Sequence, residues 1–89
     1  MRFSWDETKA RKNLKKHGVS FDEASTVFFD PFAITIPDLD HSVNEHRLLT
    51  IGRSLGGKLL VVAHTEDDDL IRIISAREAA RRERKDYES

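Results

Sequence analysis

The chain opens with Arg2-Phe3-Ser4-Trp5, where polar and apolar side chains alternate, and this period of two predicts a short strand. Asp6 follows in the place of a helix N-cap. Ala10, Asn13, Leu14 and His17 recur at i, i+3, i+4 and i+7, which predicts a helix running to His17 and ending on Gly18 in a left-handed conformation. The opposite face of that helix carries Arg11, Lys12, Lys15 and Lys16. Ser20 with Glu23 three residues on has the form of a capping box, and it predicts a second short helix with Phe21, Ala24, Val27 and Phe28 on one face, stopped at Asp30-Pro31.

Four strands are predicted after that, over residues 32–36, 46–53, 58–65 and 70–74. The connections at 54–57 and 66–69 are too short for a parallel return, so the last three strands are predicted to form an antiparallel meander. Leu59-Leu60-Val61-Val62-Ala63 is apolar at every position and belongs at the centre of a sheet covered on both faces. Ser75 and Glu78 form another capping-box pattern, predicting that the last strand turns at Ser75 directly into a C-terminal helix rich in arginine. The order β-α-α-β-β-β-β-α implies a single α+β domain over residues 1–89. Its antiparallel twisted sheet is packed by the two N-terminal helices, with the arginine-rich helix at the end.

The 89 residues allow one modest core. Without cysteine there is no disulfide or thiolate chemistry. No apolar run approaches the roughly 18 residues of a membrane helix and the start lacks a signal-peptide hydrophobic region, so a soluble cytoplasmic protein with no membrane partner is expected. Net charge is only −1, but it is unevenly placed: residues 1–18 carry +4, residues 19–46 carry −6, residues 47–64 carry +3, residues 65–70 carry −4 and residues 71–89 carry +2. Such blocks can build one basic and one acidic face on a small domain.

Several chemistries find no support. The histidines at 17, 41, 46 and 64 match no metal-ligand spacing, and no metal or other cofactor is implied. No Gly-rich phosphate loop and no GxSxG elbow is present. The aromatic residues fall mostly outside the meander, which leaves no base-stacking platform. What remains is a set of arginines, histidines and one tyrosine suited to metal-free RNA cleavage. There the ribose 2′-hydroxyl attacks the adjacent phosphate, cations neutralise the phosphorane, and a base and an acid move the protons. Arginine suits the middle task because its planar fork can hold two phosphate oxygens.

Phe3-x-Trp5-Asp6, Lys9, Asn13, Lys16-His17-Gly18-Val19-Ser20-Phe21, Glu23-Ala24, Val27-Phe28, Asp30-Pro31, Glu45-x-Arg47 before Gly52, Arg72-Ile73-Ile74-Ser75-Ala76-Arg77, Glu83-Arg84 and Tyr87 occur in an order and spacing that resembles the BrnT family of bacterial toxins. The resemblance covers nearly the whole chain. It implies a RelE-like fold and the toxin half of a type II toxin–antitoxin pair, an endoribonuclease that inhibits translation and growth. Its implied partners are an RNA substrate, a BrnA-like ribbon-helix-helix antitoxin, and promoter DNA only through the antitoxin complex. One departure is visible: Asp67-Asp68-Asp69 follow Thr65-Glu66 where the family often has a basic residue.

The candidate catalytic residues are Arg72, Arg77, Arg47, Glu45, His17 and Tyr87, and the candidate RNA-binding residues are Lys16, Arg81 and Arg84. Arg72 alternates with Ile71 and Ile73, so it points off the opposite strand face, as an ordinary surface arginine also would. The predicted Ser75 corner would hold Arg72, Arg77, Arg81 and Arg84 near the free N–H groups of a helix start, a combination that binds oxyanions. A non-catalytic protein- or RNA-binding module, or a degenerate toxin, is the alternative reading of the same residues.

Overall fold

The computed structural model describes residues 1–40 and 46–89. The elements run β1 (Arg2–Ser4), α1 (Glu7–His17), α2 (Phe21–Thr26), a 3₁₀ turn (Val27–Phe29), β2 (Ile34–Pro37), β3 (Leu48–Arg53), β4 (Leu59–Asp67), β5 (Leu70–Glu78) and α3 (Arg81–Glu88).

The first helices form where their caps place them. The Asp6 carboxylate accepts the N–H groups of Thr8 at 2.8 Å and Lys9 at 3.1 Å, and these bonds hold its pKa below the usual carboxylate value. Gly18 ends α1 at φ 70°, donating its N–H to the Leu14 carbonyl at 2.8 Å. Ser20 Oγ accepts the Glu23 N–H at 3.0 Å, but the Glu23 carboxylate turns away from the cap and takes the Ser54 hydroxyl at 2.8 Å, tying α2 to the β3–β4 turn.

The five strands lie in the order β1-β5-β4-β3-β2. The β2–β3, β3–β4 and β4–β5 pairs are antiparallel, and β4 sits centrally. The sheet as a whole is mixed, which corrects the antiparallel expectation: β1 pairs parallel with β5, Phe3 opposite Ile71. Most of the chain separates these two strands, so the long return that a parallel pairing requires is available.

A larger correction concerns the end of the sheet. β5 continues through Ser75 to Glu78, and the corner into α3 falls at Ala79-Ala80. Ser75 is therefore no helix cap. Residues 75–78 pair with Ala63, Val62, Val61 and Leu60 of β4, and Ala76 is fully buried, so strand pairing and packing override the local signal. Glu83 instead of Glu78 serves the helix start, its Oε1 accepting the Ala80 N–H at 2.8 Å.

A bulge adds one feature. Ala63 faces Ser75 while His64 faces Ile73, which leaves Ile74 as an extra residue in β5. Ile71 and Ile73 before it and Ala76 after it all enter the core beneath the helices, so Arg72 and Arg77 both point to the other face.

Each face of the sheet has its own core. Val19, Phe21, Ala24, Val27, Leu60, Val62, Ile71, Ile73 and Ala76 pack under α1 and α2 with Phe3, Trp5 and Phe28 around them. Across the sheet, Ile51, Leu59 and Val61 meet Leu49, Ala79 and Tyr87. At about 1.5–3 kcal/mol per buried large side chain, the second core holds α3 far less firmly than the first holds α1 and α2. Within the first core, the wholly buried His64 bonds through Nε2 to Thr50 Oγ1 at 2.7 Å, Thr50 bonds to Thr35 at 2.8 Å, and the Phe28 ring stands edge-on to the imidazole at 4.8 Å. Burial pushes the His64 pKa down to about 4, so the ring is neutral at pH 7.

Candidate functional site

The bulged stretch of β5 is the ridge on which the site is built. β1 reaches only as far as Arg72 along β5, and beyond it the Asn13 side chain takes the place of a neighbouring strand. Its amide nitrogen donates to the carbonyls of Ala76 and Val19, both at 2.9 Å, and its oxygen accepts the Ala76 N–H at 3.1 Å. The C-terminal half of α1 is thereby fixed beside Ile74 and Ser75.

Two depressions meet there. One, of about 220 Å³, is bordered by Lys9, Lys12, Lys16 and His17 of α1 and by Ile74 and Ser75. The other, of about 320 Å³, lies on the sheet face away from α1 and is bordered by Arg47, Arg77, Asp38 and Asp40 together with the same Ile74 and Ser75. Among the described residues, the lysine side carries no acidic residue in its lining, whereas the arginine side sets two arginines against two aspartates. A polyanion crossing the ridge would therefore find net positive charge mainly along α1.

Arg77 is held on arrival. Its Nη1 and Nη2 donate to the two carboxylate oxygens of Glu83, each at 2.7 Å, and Nη1 also reaches the Glu78 carbonyl at 3.3 Å. The pair raises the pKa of the guanidinium and lowers that of the carboxyl, so both groups are charged at neutral pH.

Of the residues expected from sequence, Arg47 and Arg77 come together in one depression, and Lys16 and His17 in the adjoining one. The expected convergence of Arg72, Arg77, Arg81 and Arg84 on a helix start is not found, because that corner lies elsewhere. Arg72 is exposed five residues before Arg77 on the same face, about 16 Å back along the strand. Arg81 and Arg84 are exposed on α3. Glu45, like His41, lies outside the described residues.

Tyr87 stands at a different corner. Its hydroxyl donates to Asp30 Oδ2 at 2.6 Å, the Arg53 N–H donates to the same oxygen at 2.7 Å, and the Arg53 guanidinium lies 5.8 Å from the ring centre. The hydrogen bond to Asp30 raises the phenol pKa. Burial pushes Asp30 up, and the bonds from Tyr87, Arg53 and Phe32 outweigh it, leaving the carboxyl below its usual value. These contacts tie the end of α3 to Asp30 and to the end of β3. The acidic turn is also distant from the ridge: Asp68, at φ 55°, and Asp69 form the β4–β5 turn, and Asp69 pairs with Arg2 at 3.0 Å.

Reading the sequence does not single out Lys9, Lys12 and Glu83 as site residues, or Asp38 and Asp40 at all. The spacing of Lys9, Lys12 and Lys16 on one helix face was the available signal for the lysine side. Among the described residues no group of three or more His, Asp or Glu side chains is arranged to hold a metal ion, and no helix is long and apolar enough to cross a membrane.

Comparison with known proteins agrees with this architecture. The profile of a family described as the ribonuclease toxin, BrnT, of type II toxin–antitoxin systems matches residues 5–83. The fold is similar to the 1.1 Å crystal structure of the Brucella abortus ribonuclease toxin BrnT, with a TM-score of 0.70 and 26% sequence identity over 91% of this chain and 99% of that one. Comparison with curated protein sequences yields no match. The chain belongs to the BrnT family of ribonuclease toxins of type II toxin–antitoxin systems.

Proposed function

We propose that the ridge at Ile74-Ser75 carries a metal-independent endoribonuclease site, with the RNA backbone lying along α1 and the cleaved linkage at the arginine side. The observation that carries this reading is the shared border: two depressions meet on the same two residues, one lined by three lysines and His17, the other by Arg47 and Arg77. The ribose O2′–P bond forms as the P–O5′ bond breaks, leaving a 2′,3′-cyclic phosphate and a 5′-hydroxyl. Arg47 and Arg77 neutralise the phosphorane, Lys9, Lys12 and Lys16 hold flanking phosphates, and His17 exchanges a proton with an attacking or leaving oxygen.

In this reading the fold is RelE-like and the toxin acts on RNA in the cytoplasm, inhibiting translation and growth until a BrnA-like ribbon-helix-helix antitoxin binds it. The pair would reach promoter DNA through the antitoxin. The test is incubation of purified protein with RNA in excess EDTA. Discrete products bearing 2′,3′-cyclic phosphate are expected, and Arg77→Ala and Arg47→Ala should abolish them. Lys12→Ala and Lys16→Ala should weaken RNA binding and flatten its salt dependence by about one unit of slope per lysine. RNA left uncut by the folded wild-type protein would refute the catalytic reading. A degenerate, binding-only toxin has one observation in its favour: Arg77 is already paired with a carboxylate.

A further inference from the structure

We infer that Glu83 is the positioning residue of the cleavage site, orienting Arg77 so that one defined edge of its guanidinium faces the phosphate. The inference rests on the reading of Arg77 as a phosphate ligand and adds the group that aims it.

A guanidinium has five N–H donors arranged along two bidentate edges, one formed by both Nη atoms and one by Nε with a single Nη. The two protons of Nη1 go to Glu83 Oε1 and the Glu78 carbonyl, and one proton of Nη2 goes to Glu83 Oε2. Among the described residues, Nε–H and the second Nη2 proton take no partner, and they lie on the same edge of the plane. Glu83 thus occupies the end-on fork and leaves the side-on fork, itself matched to a pair of phosphate oxygens, on a residue that lines the depression shared with Arg47 and Ser75. Glu83 is itself fixed, since Oε1 also accepts the Ala80 N–H at the start of α3. The series from β5 through Arg77 and Glu83 to the helix start leaves the guanidinium little freedom. An arginine oriented before substrate arrives loses less entropy on meeting the phosphorane than a freely rotating one.

A surface staple between β5 and α3 would show the same ion pair, so the experiment must separate the two roles. Single-turnover and steady-state RNA cleavage in EDTA are measured for wild type, Arg77→Ala, Glu83→Ala, Glu83→Gln and the exchanged pair Arg77→Glu/Glu83→Arg, with thermal melting of each and assays run well below every midpoint. Positioning predicts that Glu83→Ala lowers kcat by about tenfold to a hundredfold while KM stays within about threefold. Glu83→Gln, which keeps the shape and one acceptor, should retain an intermediate rate. The exchanged pair should recover only the part of the melting temperature lost in Glu83→Ala that the ion pair contributes, since an arginine at 83 cannot accept the Ala80 N–H, and should leave cleavage at the Arg77→Ala level. Recovery of both melting temperature and cleavage by the exchanged pair would show that the ion pair is only a staple. Impaired cleavage in Arg77→Ala with wild-type rates in Glu83→Ala would overturn the positioning role alone. Wild-type rates in Arg77→Ala would overturn the phosphate-ligand reading and this inference with it.

Discussion

Replacing Asn13 by alanine tests how α1 is fastened to β5. The side chain is buried and makes three hydrogen bonds, to the Val19 carbonyl and to both the N–H and the carbonyl of Ala76. Alanine removes the partner of all three backbone groups and supplies none. An unsatisfied buried group costs about 1–3 kcal/mol, and water can reach part of the site from the lysine side, so a loss of about 3–5 kcal/mol is expected. For a domain of this size that is a large share of a total near 5–15 kcal/mol. With a urea m-value of about 1–2 kcal/mol/M, the unfolding midpoint should fall by about 2 M or more.

Asn13→Asp sharpens the test. A carboxylate there can accept the Ala76 N–H but faces two carbonyl oxygens with no proton to offer, so the folded state should raise its pKa. The protonated form can donate one of the missing bonds. Relative to wild type at each pH, the variant should therefore be least destabilised below about pH 4, the unfolded carboxyl pKa. It should lose ground as pH rises through the higher folded value. A midpoint shift corresponding to less than about 1 kcal/mol for Asn13→Ala, or an aspartate variant indifferent to pH, would refute the reasoning.

Three further outcomes are expected. A Cβ at Gly52 would lie 2.7 Å from Val27 Cγ1 and 3.1 Å from Ala33 Cβ, so Gly52→Ala should destabilise the fold by about 1–3 kcal/mol in denaturant titrations; an unchanged midpoint would contradict the packing of the 3₁₀ turn on β3. Tyr87→Phe should cost about 1 kcal/mol and speed hydrogen exchange in α3, while RNA cleavage by the folded protein stays intact; loss of cleavage would return Tyr87 to the chemistry. His64 has a folded pKa of about 4 against 6.5 unfolded, so the unfolded chain binds the extra proton between those values. The stability of its neutral form is therefore complete above about pH 6.5 and declines by about 3 kcal/mol as pH falls toward 4, and His64→Gln should remove most of that slope in urea titrations run from pH 7 to 4.5.

What could be read from sequence was what is decided within a few residues. Asp6, Gly18 and Ser20 end and begin helices through contacts no more than four residues away, and those boundaries stand. The β5–α3 boundary was lost because a local pattern at Ser75 and Glu78 competed with distant partners: four β4 residues on one side and Asn13 on the other. Hairpin length held the clue, since an eight-residue strand at 58–65 calls for an antiparallel partner longer than residues 70–74, and the structure has nine residues in each. The parallel pairing of β1 and the bulge at Ile74 have no local signature. The same non-locality governed the site. Arg77 and Arg47 were visible as arginines, but their meeting depends on register across the sheet. Glu83, which binds Arg77, was hidden by the misplaced helix start.

RNA is expected to lie across the Ile74-Ser75 ridge. Titrating a short 2′-O-methyl RNA, which cannot be cut because its nucleophile is blocked, into isotopically labelled protein would locate the contact by backbone and side-chain NMR shifts. Changes concentrated on Lys9, Lys12, Lys16, His17, Ile74, Ser75 and Arg77, fading as salt is raised, are predicted. Changes confined to a separate depression lined by Asp30, Phe32, Leu55 and Tyr87, with the ridge unmoved, would contradict that placement.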